Sequence, residues 1–126
     1  MTDTTTPTIE TVVDTYLGMF AEADPTEAID VAFAAGARFV DPLLDVTGHE
    51  ALAETVALVQ QQYPGHRFVR SSGIDEHHSI VRYSWDLVAP DGGAVLTGTD
   101  VAAVGDDGRL TIVAGFFGDF PEMDAA

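Results

Sequence analysis

The 126-residue sequence contains no cysteine and no lysine. The first absence removes disulfides, thiolate nucleophiles and thiolate metal ligands. The second removes Schiff-base chemistry. Basic residues are few altogether: five arginines stand against 21 acids, for a formal charge of -16. A surface of that sign repels nucleic acid and anionic membranes, and makes a polyanionic substrate a poor match. No apolar run reaches the roughly 18 residues that span a bilayer. The first residues, Met1-Thr2-Asp3-Thr4-Thr5-Thr6-Pro7, lack the basic and apolar regions of a signal peptide, so a soluble, cytoplasmic protein is expected. The serines lie in no nucleophile-elbow context, and no His-x-x-x-His pair stands on a helix, so neither a serine hydrolase nor a metal site is expected.

What is present is an interior. The chain is 46% hydrophobic, enough for one domain around one core. Thr6-Pro7 reads as a helix start, and Ile9, Val12, Val13, Tyr16 and Phe20 follow as one apolar stripe. Asp24-Pro25 repeats the start signal. Ile29, Ala32 and Phe33 form the inner face of a second helix that Gly36 is placed to stop. A short strand, Arg38-Phe39-Val40, ends at Asp41, because Pro42 holds the preceding residue extended. Thr47-Gly48-His49-Glu50 has the form of a capping box before a third helix, whose stripe is Leu52, Val56, Val59 and Tyr63.

The second half reads as all-β. A strand spans 66–72. From Ile80 to Ala89, Val81, Tyr83, Trp85 and Leu87 alternate with Arg82, Ser84 and Asp86. Turns at Pro90–Gly93 and Gly105–Gly108 separate a long strand carrying Asp100 from a last strand, Arg109 to Phe117. Residues 118–126 form an acidic tail. The expectation is an α+β fold: three helices preceding a curled antiparallel sheet, whose inner face can enclose a cavity if the helices cap it.

Three polar side chains interrupt apolar faces: Tyr16 on the first helix, Asp41 at the end of the first strand, and Asp100 in the long strand. A carboxylate removed from water must be paired, hydrogen-bonded or protonated. Each residue also has a plainer role open to it. Tyr16 can be a core tyrosine, Asp41 a turn cap, and Asp100 a partner for a backbone amide or for Arg38 or Arg82. His49 is expected in solvent. His77 and His78, as neighbours on an extended segment, are expected to face opposite ways.

With Val12–Tyr16, Val40-Asp41-Pro42, Gly48–Leu52, Gly98-Thr99-Asp100 and Gly108-Arg109-Leu110 through Gly118 in hand, the chain resembles the nuclear-transport-factor-2-like superfamily, in particular its SnoaL-like and ketosteroid-isomerase branches. The resemblance covers about residues 9–118. It implies a cone-shaped, strongly curved antiparallel sheet capped by the three N-terminal helices, an apolar pocket between them, and a homodimer. Tyr16, Asp41 and Asp100 stand where the isomerase has its oxyanion-hole tyrosine, its base and its protonated aspartic acid, a mechanism already worked out for that enzyme. Phe20, Phe39, Val56, Tyr63, Phe68, Trp85 and Phe116 are the implied pocket walls. The implied ligand is a small hydrophobic carbonyl compound, with no metal or organic cofactor. A SnoaL-like polyketide cyclase, an epoxide hydrolase and a non-catalytic binder of small hydrophobes stand as alternatives on the same fold.

Overall fold

A computed structural model describes residues 7–123; the expected helix start at Thr6 and the end of the acidic tail lie outside them. Helix α1 spans Ile9–Gly18, and Met19–Ala21 tightens into a 3-10 turn. Thr8 is the N-cap, its Oγ1 accepting from the Thr11 N–H at 3.1 Å. Val12, Val13, Tyr16 and Leu17 make its buried face. Helix α2 covers Thr26–Ala32 and ends four residues before Gly36. Phe33, expected on the helix, instead begins strand β1, Phe33–Asp41.

Strand β2 is Leu44–Thr47, folded back on β1. Leu44 and Val46 alternate there with Asp45 and Thr47, a run of four residues that is short for a strand to be read from sequence. Helix α3, His49–Gln62, starts from Gly48 at φ 94°, with no side-chain cap. The Thr47–Glu50 capping box therefore does not form, because Thr47 is held in the strand. His49 is half-buried, not solvated, and its Nε2 lies 2.9 Å from the Phe33 carbonyl and 3.1 Å from that of Ala34, tying α3 to the start of β1.

The remaining strands are β3 (Arg67–Arg70), β4 (Asp75–His77), β5 (Ile80–Val88), β6 (Ala94–Val104) and β7 (Leu110–Phe117). The sheet order is β2-β1-β7-β6-β5-β3, with β4 also on β5. All pairs are antiparallel except β1 with β7, which is parallel and joins the first and last strands. His78 and Ser79 form a two-residue turn at φ 51° and 65°, so the two histidines do not oppose each other; their Nδ1 atoms are 3.2 Å apart.

The core lies between the helices and the concave face, around Val12, Val13, Phe33, Leu52, Leu110 and Val113. Besides an irregularity between Phe33 and Arg38 in the β1–β7 pairing, two bulges set which residues reach that face. The β5–β6 register shifts between Leu87 and Val88, and the β6–β7 register shifts between Ala103 and Val104. Each bulge exchanges inward and outward positions beyond it. Among the described residues, no helix is long and apolar enough to cross a membrane.

Candidate functional site

Strands β1, β7 and β6 run side by side, so Asp41, Gly115 and Asp100 lie in a row across the concave face. At about 4.8 Å per strand, the two aspartates are about 10 Å apart at the backbone. Gly115 keeps the space between them open. A Cβ there would stand 3.0 Å from Asp100 Oδ1 and 3.4 Å from Asp41 Cβ.

Asp41 terminates β1 and is only half-buried. Its Oδ1 accepts the N–H groups of Leu43 at 2.8 Å and Leu44 at 3.1 Å. The aspartate therefore holds the turn into β2 with one oxygen. No hydrogen bond within the described residues engages the other.

Asp100 is 1% exposed. Its oxygens are each held by a neighbour on β5: Tyr83 donates its hydroxyl to Oδ2 at 2.9 Å, and Trp85 donates Nε1–H to Oδ1 at 3.0 Å. Neither Arg38 nor Arg82 reaches it; they pair with Asp45 and Asp75. Burial pushes the Asp100 carboxyl up from an ordinary 3.8 to about 6, against the pull of the donors from Tyr83, Trp85 and Tyr16, and with a further push from the charge of Asp41. Tyr16 faces the same carboxyl. Burial, then the charge of Asp100, raise its hydroxyl well above the usual 10, and the same two causes act on Tyr83. Both phenols are therefore proton donors in hydrogen bonds, not bases.

Tyr16, Asp41 and Asp100 line one cavity of about 350 Å³. Five of the seven residues expected as walls, Phe20, Phe39, Tyr63, Phe68 and Trp85, line it too. Two do not. Val56 is buried in the core, and the face of α3 turned to the cavity is instead Thr55, Leu58, Val59 and Gln62, at helical spacing. Phe116 is 59% exposed on the convex face, and Phe117 takes the inward place, 5.9 Å from the Trp85 ring. The bulge after Ala103 is the cause, because it pairs Asp100 with Gly115 and so makes the odd-numbered residues of β7 point inward.

The Asp100 clamp is the part that reading the sequence missed. Its signal was available: Tyr83 and Trp85 alternate onto one face of β5, and register places Tyr83 opposite Asp100 and Trp85 opposite Gly98. Gly98 makes the clamp possible. A Cβ there would overlap the Trp85 ring and come within 2.6 Å of the Phe116 carbonyl oxygen. Gly98→Ala is therefore expected to destabilise the fold by about 1–3 kcal/mol, as overpacking does. Urea denaturation measures this, and an unchanged midpoint would mean that the indole does not lie over β6.

No family model and no curated protein sequence matches the chain. Solved structures do. A protein of the SnoaL-like family from Agrobacterium tumefaciens strain C58, proposed to be an isomerase, is 35% identical over 87% of this chain and 97% of its own, with a TM-score of 0.81. A protein from Jannaschia sp. CCS1, proposed to be a SnoaL-like polyketide cyclase, is 17% identical over 92% of this chain and 91% of its own, at a TM-score of 0.66. A protein with a ketosteroid-isomerase-like fold from Catenulispora acidiphila, in complex with trimethylamine, is 16% identical over 88% and 85%, at 0.68. The last two share the fold.

Proposed function

The chain belongs to the SnoaL-like family, and from that premise we propose that it catalyses cofactor-independent proton transfer on a small hydrophobic carbonyl compound. One observation carries the reading: Tyr16, Asp41 and Asp100 arrive from a helix and two separate strands at one cavity whose wall is otherwise mainly aromatic and aliphatic. A proton α to a ketone is weakly acidic, so its removal needs a base and a stabiliser for the enolate oxygen. Asp41 is the base, with one oxygen fixed by the turn and the other free for the proton. It can return that proton elsewhere on a conjugated system, which completes an isomerisation, or leave the enolate to attack a second carbonyl and give the proton to the alkoxide that forms, which completes a cyclisation. Tyr16 and protonated Asp100 donate to the enolate oxygen. Each such donor is typically worth about 3 kcal/mol of barrier. Negative charge growing beside Asp100 favours its protonated form further.

The test is to follow conjugation of a β,γ-unsaturated ketone by absorbance, together with titration of a naphthol as an enolate mimic. Turnover is expected, and Asp100→Ala is expected to weaken naphthol binding. Unchanged naphthol affinity, with no turnover, would leave the cavity as a binding site without chemistry.

We also propose a homodimer through the convex sheet face. Val101, Ala114 and Val40 form one cross-strand row there, flanked by Ile80, Ile112 and Phe116 in the rows beside it. Ile80, Val101 and Phe116 are exposed in the single chain. Sedimentation at micromolar concentration should give a dimer, and Phe116→Glu should give a monomer. A wild-type monomer removes this assembly.

A further inference from the structure

The cavity has an unbalanced charge. Two carboxylic acids line it, and no arginine or histidine does. The chain has no lysine to reach in. Arg38, Arg70, Arg82 and Arg109 are engaged by Asp45, Asp14, Asp75 and Asp107, none of which lines the cavity. Two negative charges on one largely apolar wall repel each other, and beyond the donors already on Asp100 and Asp41 a proton or a cation relieves them.

The chemistry of the wall selects the kind of cation. A hard metal ion requires several oxygen ligands, and the described residues offer no group of three ligating side chains. A strongly hydrated ammonium would lose its water to aromatic carbons. An alkylated ammonium is weakly hydrated and carries its own apolar surface, which suits the rings of Phe20, Phe39, Phe68, Trp85 and Phe117. We propose that the cavity binds a tertiary or quaternary ammonium ion, with Asp41 and Asp100 as its counter-charges and the aromatic rings as the seat of its alkyl groups. This does not rest on the proton-transfer reading.

The groups facing Asp100 are Tyr16 from α1, Tyr83 and Trp85 from β5, and Asp41 from β1 across Gly115 of β7. Both tyrosines stay neutral through the physiological range, since their hydroxyls are raised. A proton on Asp100 and an ammonium ion in the cavity are therefore alternatives. The cation binds best where Asp100 is ionised, and acid displaces it.

Calorimetry with choline and its uncharged isostere 3,3-dimethylbutan-1-ol tests the proposal. Choline carries a permanent charge, so any pH dependence belongs to the protein. Choline is expected to bind about tenfold or more tightly than the alcohol, and to lose about tenfold in affinity between about pH 7.5 and about pH 5. Asp100→Asn should weaken choline and abolish the pH dependence; Asp41→Asn, at a position nearer solvent, should weaken it too. Equal binding of the alcohol, choline affinity indifferent to pH, or no choline binding at all each overturns the proposal. None of these outcomes touches the ketone assay, and absence of ketone turnover does not touch the titration.

Discussion

Replacing Asp41 with asparagine is expected to slow conjugation of a β,γ-unsaturated ketone by about 10²–10⁴-fold, the usual contribution of a positioned base. The choice of asparagine matters. Asp41 Oδ1 holds the Leu43 and Leu44 amides, and an asparagine carbonyl can accept the same two bonds. The variant keeps the turn and loses only the proton acceptor. Asp41→Ala removes both, so its stability should fall where that of Asp41→Asn does not. A rate within a few-fold of wild type for Asp41→Asn would reduce Asp41 to a turn residue. The plainer reading of this aspartate is in fact also true of it: one oxygen caps a turn, and that is what fixes the direction of the other.

Replacing Asp100 with asparagine is expected to stabilise the protein at neutral pH by up to about 3 kcal/mol, an effect that shrinks toward pH 4. The carboxyl titrates near 6 in the fold against an ordinary 3.8. Between those values the native state holds more protons than the unfolded chain, so stability falls as pH rises through this window. The contribution is fully present below 3.8 and is lost above about 6. Asparagine has no such cost. Its carbonyl can accept from Trp85 and its amide can donate to the Tyr83 oxygen, but the proton that Tyr83 gives to the carboxylate loses its acceptor, which offsets part of the gain. Surface carboxylates with lowered values, such as Asp45 beside Arg38, act in the opposite sense but are shared by both proteins and cancel in the difference. Urea denaturation of the pair near pH 4 and pH 7.5 reads the effect directly. A difference that does not vary with pH, or a wild type more stable at pH 7.5, would place Asp100 outside a titrating role. A residue that costs stability where it is ionised is one whose retention calls for a use in binding or catalysis.

Much of this site could be read from the chain. Tyr16 stood on a helical stripe, Asp41 before a proline and Asp100 in an alternating strand, and the resemblance gave their positions a common meaning. The inner face of β5 followed from alternation alone. What could not be read depended on tertiary pairing. Phe33-Ala34-Ala35-Gly36-Ala37 is alanine-rich and looks helical, yet Phe33 pairs with β7, Arg38 resumes that pairing, and His49 holds the Phe33 and Ala34 carbonyls, so the stretch is drawn into β1. Phe116 and Phe117 are adjacent and chemically identical, so only the backbone register separates wall from surface. Trp85 was expected to be a wall; its bond to Asp100 required knowing that the strand opposite carries a glycine at the crossing point.

The bulge after Ala103 has a consequence for how such a cavity diversifies. The face that each residue of β7 presents follows from its register on β6, which the turn and its bulge set together with the buried side chains. A single insertion or deletion beside the 105–108 turn would exchange the two sets wholesale, sending Phe117 and Gly115 outward and Phe116 and Ala114 inward. Ala114 would then bring a methyl group to the space between Asp41 and Asp100 that glycine now leaves open. Within a lineage, one change of chain length can thus close or reopen the gap between the acids without a substitution at any position that lines it.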